Sequence, residues 1–263
     1  MPLFKGLKID VRRKRILDIL SRDGQVRVAD LAAELGATPV TIRSDLRSLE
    51  DDSYLERKPG GAVPRIKNFY NMELHLRRRD NGDVKKSIAA ATAGLIADGE
   101  TLFINSGTTT YFTAIELKKR RNLNVVTNSL PVAMELGNVP GFTVFLLGGK
   151  INAQYSFTSG VNTLEELRQF KADKTILSID GIGAGCGLTT YHADEAVVNR
   201  TMIERSRETI ISADHTKIGY ESFSFIADLW PGLTLVTDNA EAALLDEIKA
   251  AGIRVILANA PER

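Results

Sequence analysis

The sequence predicts an α/β protein in two parts, a small helical module ending in a β-hairpin and a larger domain built on a mainly parallel sheet. Three observations predict it. The chain has 263 residues and 43% hydrophobic content, more than one domain needs and enough for two cores. The front of the chain shows 3.6-residue apolar periodicity broken by tight turns, and from Lys85 onward helical patterns alternate with short apolar runs. Such alternation argues for a parallel sheet covered by helices on both faces. The expected division is residues 1–63 for the front module, 64–84 for a linker and 85–263 for the rear domain.

Composition excludes several function classes. No apolar run approaches the roughly 18 residues of a membrane span, and the opening MPLFKGLKID lacks the apolar core of a signal peptide. A soluble, cytoplasmic protein without a membrane partner is expected. A single cysteine, Cys186, makes no internal disulfide, and His75, His192 and His215 lack metal-ligand spacing, so neither metal nor cofactor is expected. The net charge of +1 hides an asymmetry: residues 1–68 hold 14 Lys/Arg against 10 Asp/Glu, and residues 69–263 hold 20 against 23. The basic excess at the front suits a phosphate backbone, although ordinary solvated surfaces carry similar imbalances.

In VRRKRILDILSRDG, Ile16, Ile19 and Leu20 share one helical face and Gly24 ends it; the β-prone QVRV follows. In VADLAAELG, Val28, Leu31, Ala32 and Leu35 form the next stripe, with Gly36 as the stop. Thr38 is a favoured N-cap and Pro39 suits the first helical position, so ATPVTIRSDLRSLEDD opens a third helix. Ile42, Leu46 and Leu49 line its inner face, while Thr41, Arg43, Ser44, Arg47 and Ser48 occupy the rest of the cylinder. Such a face is either solvated or fit for the major groove, where Arg reads a guanine edge and Ser or Thr bonds bases or phosphates. YLERKPGGAVP then places two β-prone arms, residues 54–57 and 62–63, around a basic tip. Helix, turn, helix and hairpin together make a winged helix-turn-helix.

RRKRILDIL, VRVADLAAELGATPVTIRSDL and LERKPGGA resemble, in order and spacing, the N-terminal signature of the DeoR family of bacterial regulators, usually repressors. By that resemblance Thr41, Arg43, Ser44, Arg47, Arg57 and Lys58 are candidates to contact double-stranded operator DNA. Two positions depart from the family pattern: Ser44, where a second basic residue is usual, and Ser53, near a usual glycine. Residues 64–84 have no sustained apolar period and hold Arg77, Arg78 and Arg79, readable as a solvated linker or a further DNA contact.

In the rear domain the apolar runs TLFI, NVVT, TVFLLGG, KTILSI, ETIISA, LTLVT and RVILA are the expected strands. KKSIAAATAGLIADG, TTTYFTAIELKKR, SLPVAMELG, NTLEELRQF, DEAVVNRTMIERS and AEAALLDEIKAAG are the expected helices. Ligands in this architecture sit at the carboxyl ends of the strands. After the first strand, Asn105, Ser106, Gly107, Thr108, Thr109 and Thr110 lead into a helix. That loop is either a Ser/Thr-capped helix start or a phosphate cradle of hydroxyls, close backbone and positive helix dipole. Other strand ends add Thr127, Asn128, Ser129, Gly148, Gly149, Lys150, Asp180 and Gly181 to the same rim. Asp194 and Glu195 open a helix, and Lys217 offers a point charge to a phosphate.

DGETLFINSGTTT, VVTNSLPVA, LLGGKI, DGIGAGCGLTTYHADEA, ADHTKIG and LVTD resemble the DeoR effector domain over residues 85–258. The resemblance implies a fold related to ribose-phosphate isomerases and glucosamine-phosphate deaminases, a phosphorylated sugar as effector, and a homo-oligomer, dimer or tetramer. His215 stands where the family often has serine. The rival reading is a sugar-phosphate isomerase or deaminase using Asp180, Asp194, Glu195 or Lys217 as acid and base. The winged helix, which such an enzyme does not need, argues against it. The glycines at 181, 183, 185 and 187 do not match the dinucleotide fingerprint, and the Lys150 run lacks the Ser/Thr of a P-loop.

Overall fold

The computed structural model describes residues 9–51, 55–64, 81–153 and 155–258. The chain divides into two compact units, Met1–Leu76 and Arg77–Arg263. Arg77, Arg78 and Arg79, Ser53 and the first residue of the expected wing arm, Tyr54, lie outside the described residues.

The first unit runs α1 (Ile9–Asp23), β1 (Val26–Arg27), α2 (Val28–Glu34), α3 (Pro39–Asp51), β2 (Leu55–Lys58) and β3 (Gly61–Pro64). The apolar stripes read from the sequence meet in one core: Ile16, Ile19 and Leu20 of α1, Val28 and Leu31 of α2, and Ile42, Leu46 and Leu49 of α3. Thr38 caps α3 as its side chain predicts, its Oγ1 accepting from Thr41 N at 3.2 Å. Strands β2 and β3 pair in antiparallel register around a two-residue turn at Pro59 and Gly60. β1 adds to the outer side of β3, so the sheet order is β1-β3-β2. Val28 N, the first amide of α2, donates to Gly60 O at 2.9 Å and ties the wing tip to the helix-turn-helix.

The third strand of this small sheet explains Gly61. A Cβ there would lie 2.0 Å from Val26 O, inside the backbone of the paired strand. Gly61→Ala is therefore expected to force β1 away from β3 and destabilise the first unit by roughly 1–3 kcal/mol, the usual scale of overpacking. Calorimetry of the full chain would show a lowered first transition; an unmoved one would contradict the close approach.

The second unit begins with α4 (Gly82–Gly94), so residues 82–84 belong to a helix rather than to the expected connector. Then follow β4 (Thr101–Ile104), α5 (Thr108–Leu117), β5 (Asn124–Thr127), α6 (Leu130–Leu136), β6 (Thr143–Leu146), β7 (Lys150–Asn152), β8 (Phe157–Ser159), α7 (Val161–Leu167) and β9 (Ala172–Leu177). β10 (Gly181–Gly183), β11 (Gly187–Thr190), α8 (Ala193–Glu204), β12 (Ser206–Ser212), β13 (Ser224–Ala227), β14 (Thr234–Thr237), α9 (Ala242–Ala250) and β15 (Arg254–Leu257) complete it. The main sheet has the order β15-β14-β12-β9-β4-β5-β6, and every pairing in it is parallel.

Alternate residues of the central strands feed different cores, which is why the strands read as continuous apolar runs. Phe103, Val126, Leu177, Ile211 and Leu235 pack on one face with α7, α8 and α9. Leu102, Ile104, Val125, Ile176, Ile210 and Val236 pack on the other with α4, α5 and α6. Two small sheets stand outside the expected alternation, the β7–β8 hairpin and the antiparallel β10-β11-β13 sheet. From β4 the chain builds outward through β5 to β6, then returns to place β9 on the other side of β4. The boundary between β4 and β9 is thus the topological switch point, where a crevice opens beyond the strands.

Candidate nucleic-acid interface and ligand cleft

On α3 the buried residues are Ile42, Asp45, Leu46 and Leu49, while Arg43, Ser44 and Arg47 are exposed. Asp45 is the buried residue that apolar periodicity does not anticipate. Its carboxylate accepts from Arg12 Nε at 2.5 Å, Arg12 Nη2 at 3.2 Å and Arg13 Nε at 3.3 Å, which clamps α3 to α1. Of the candidate DNA contacts, Arg43, Ser44 and Arg47 thus stand on one open face. Thr41 is half-buried and its hydroxyl is hydrogen-bonded to that of Thr38 at 2.8 Å.

The two basic wing candidates are held by acids. Arg57 donates from its backbone N to Glu50 Oε1 at 3.0 Å and from Nε to Glu50 Oε2 at 2.6 Å, which joins β2 to the end of α3. Lys58 pairs with Glu56 on the same strand. Exposed pairs of this kind contribute at most about 1 kcal/mol and exchange readily for phosphate.

In the second unit the strand ends converge as expected, but most of their polar groups serve the scaffold. Asn105, fully buried, bridges the switch point: its Nδ2 donates to Ser178 O at 2.8 Å and Asn199 Oδ1 at 3.1 Å, and its Oδ1 accepts from Ser178 N at 2.9 Å. A Cβ on Gly107 would fall 2.3 Å from Ser178 Cβ, so glycine permits β4 and β9 to end side by side. Thr110 Oγ1 donates to Asn105 O at 3.0 Å. Thr127 Oγ1 donates to Ile104 O at 2.6 Å. Asn128 Nδ2 donates to Thr158 O at 3.1 Å, and Ser129 caps α6. Gly148 N donates to Glu166 Oε2 at 2.8 Å and Gly148 O accepts from Thr163 Oγ1 at 2.6 Å. Gly149 and Gly181 sit where a Cβ would collide, with Thr163 and with the Tyr220 backbone. Thr108 and Thr109 are buried at the start of α5, where the N-cap is Gly107 and no side chain caps the helix.

Beside these ends an open cleft of about 450 Å³ is lined by Lys150, Asn152, Phe157, Ser159, His192, Ala193 and Asp194. Lys150 and Asp194 are sequence candidates; Asn152, Ser159 and His192 are not. The cleft is tied to the switch point through Tyr155, whose carbonyl accepts from Ser106 Oγ at 3.1 Å and whose ring lies 4.5 Å from that of His192. His192 Nε2 is buried with no hydrogen-bond partner, as are Asn128 Oδ1 and Asn199 Nδ2. A lone histidine gives no periodic signal; its place ahead of the acidic first turn of α8 is the trace that sequence offers.

Asp180 Oδ2 accepts from Thr190 Oγ1 at 3.1 Å and Tyr191 N at 2.8 Å, and buried Glu195 accepts from the same hydroxyl at 3.3 Å. Lys217 belongs to the short 3₁₀ turn His215–Lys217 and does not line the cleft. In that turn His215 N and Nδ1 bond Asp238 at 2.6 and 2.7 Å. Burial, and then the Glu221 carboxylate, push the Cys186 thiol above its ordinary range, so it stays protonated at neutral pH. Among the described residues no helix is long and apolar enough to cross a membrane, and no group of three His, Cys, Asp or Glu stands in position to hold a metal ion.

Known families match both units. The DeoR-like helix-turn-helix domain family matches residues 12–65 and the DeoR C-terminal sensor domain family matches residues 80–239. The chain is 31% identical to the HTH-type transcriptional repressor CsqR of Escherichia coli K12, over 94% of each protein. It is 33% identical to the glycerol-3-phosphate regulon repressor of the same organism, over 81% of this chain and 84% of that one. Among solved structures, ribose 5-phosphate isomerase A of Methanocaldococcus jannaschii aligns with 52% of this chain and 54% of its own, at 15% identity and a TM-score of 0.39. With both domain families in order and relatives of near-equal length named as repressors, the chain belongs to the DeoR family of DNA-binding transcriptional regulators.

Proposed function

We propose that this protein is a cytoplasmic repressor that holds operator DNA through α3 and the wing as a homo-oligomer, and leaves it when a phosphorylated sugar or related metabolite enters the second-unit cleft. The observation that carries the effector half is the cleft beside the β4–β9 switch point. It has the volume of a small-ligand site, and its lining includes a cation, Lys150, a carboxylate, Asp194, and the polar side chains of Asn152, Ser159 and His192. A sugar phosphate needs that mixture: a positive group for the phosphoryl oxygens and directional donors and acceptors for hydroxyls. The uncapped start of α5 at Gly107 supplies further free amides and the positive end of a helix dipole. Of the rim residues, Ser106 is joined to the cleft through Tyr155, whereas Thr108, Thr109 and Lys217 do not line it. Buried polar atoms without partners, His192 Nε2 foremost, mark hydrogen-bonding capacity for a ligand to complete. A relative named for a glycerol-3-phosphate regulon agrees with a small phosphorylated polyol.

Sensing rather than catalysis fits the acids. Asp180 is engaged by a backbone amide and a hydroxyl of the scaffold, and Glu195 shares that hydroxyl. Release from DNA is then linkage: the effector lowers operator affinity by its differential binding to the two states.

The test is a thermal-shift screen of phosphorylated sugars and polyols beside their unphosphorylated parents. A cognate phosphorylated compound at a hundredfold excess over its Kd should raise the second unit's Tm by roughly 5–10 °C. Lys150→Ala should remove most of that rise while leaving DNA binding intact. Equal shifts from the unphosphorylated parent would set aside the phosphate reading.

A further inference from the structure

Val40 is an apolar side chain in the wrong place for packing. It lies in the first turn of α3, preceded by Pro39 and the Thr38 cap, and is 73% exposed. The buried residues of the same helix, Ile42, Asp45, Leu46 and Leu49, leave its side untouched. Val40, Arg43, Ser44 and Arg47 follow the spacing i, i+3, i+4, i+7, and all four are exposed. They make one row along the open face, with Asp51 closing it at the C-terminal end. Recognition helices present their N-terminal residues to base edges, and Val40 stands at that end of α3, on the same open face as Arg43 and Arg47.

We propose that Val40 is a specificity-determining residue that packs its methyl groups against the 5-methyl group of a thymine. The major groove offers one apolar feature among its donors and acceptors, and that is the thymine methyl. A β-branched side chain on a helix is held near one rotamer, so little freedom is lost on contact. Ser44, one turn along the row, is short enough to leave the valine's flank clear of a competing long side chain. The inference rests on α3 being the helix that reads bases.

The experiment uses the full-length protein and duplex DNA selected by it from a randomised library. Each thymine of the selected duplex is replaced in turn by deoxyuridine, which deletes the methyl group and alters nothing else on the groove edge. Native protein should lose about fourfold in affinity at one thymine of each half-site, the scale of one buried methyl, and Val40→Ala should bind thymine and uracil there equally. Indifference of the native protein at every thymine, or undiminished sensitivity in Val40→Ala, overturns the inference. Arg43→Ala separates the causes: if it relaxes sequence preference while the uracil scan is silent, the methyl contact alone is wrong. If it leaves preference unchanged, the base-reading role of α3 fails and the inference falls with it.

Discussion

Asp45→Ala is expected to cost roughly 3–5 kcal/mol and to unfold much of the first unit, because it breaks a buried ion pair by removing the carboxylate that Arg12 and Arg13 both hold. Burial decides the magnitude. Arg12 and Asp45 side chains are 9% and 3% exposed, whereas Lys58 and Glu56 are about half exposed and their pair contributes at most about 1 kcal/mol. A domain of this size has only a few kcal/mol in hand. Differential scanning calorimetry of the full chain should therefore lose the first unit's transition and keep the second. DNA binding should vanish although Asp45 is buried against α1 and absent from the open face of α3. Asp45→Asn, which keeps the shape and an acceptor oxygen, should fall between; a variant with unchanged melting would mean that the clamp is dispensable.

Arg43→Ala should weaken operator binding by about 1–3 kcal/mol and relax base preference at one position if, as proposed, its guanidinium pairs bidentately with a guanine, since the helix itself stays in place. Arg43 is exposed and outside the α1–α3 clamp, so stability should hardly change. Arg47→Ala is the contrast. If its guanidinium serves phosphate, it lowers affinity for all sequences alike and reduces the salt slope by about one. Titrations at several salt concentrations on selected and unrelated duplexes distinguish the two. Identical behaviour of Arg43→Ala on both duplexes would remove Arg43 from base reading.

Much of the architecture was legible because the relevant signals are local. All seven strands of the main sheet appear as short apolar runs; in the central ones the covering of both faces demands apolar side chains at successive positions, while the edge strands β6 and β15 keep the pattern though largely exposed. The helix stops at Gly24 and Gly36 and the Thr38 cap were equally plain. The β7–β8 hairpin was not, because Lys150–Asn152 is largely exposed and carries no alternation. Two strands of the β10-β11-β13 sheet hide in a glycine-rich stretch that reads as loop, and the third comes more than thirty residues later. At the cleft, residue types pointed to the right region without revealing allegiance. Thr110 stands in the first turn of α5 and Thr127 at the end of β5, yet each hydroxyl donates to a backbone carbonyl of the scaffold. Asn152 and Ser159 reach the cleft only through the hairpin, so their role depends on tertiary placement that no spacing records. Asp45 was hidden for a similar reason: a charged residue on an inner face becomes intelligible only when Arg12 and Arg13, some thirty residues earlier, are seen beside it.

The hydrogen bond from Val28 N to Gly60 O and the shared strand β3 mean that the hairpin has no hinge of its own. Folding it away would unseat the first turn of α2, so hairpin and reading helix travel as a single die with one fixed imprint. A regulator built on such a die has little to gain from reshaping it. In the proposed homo-oligomer, loss of the operator would then come from changing how two imprints are spaced on the duplex, and the lone head should keep the same footprint whether or not the proposed metabolite is bound.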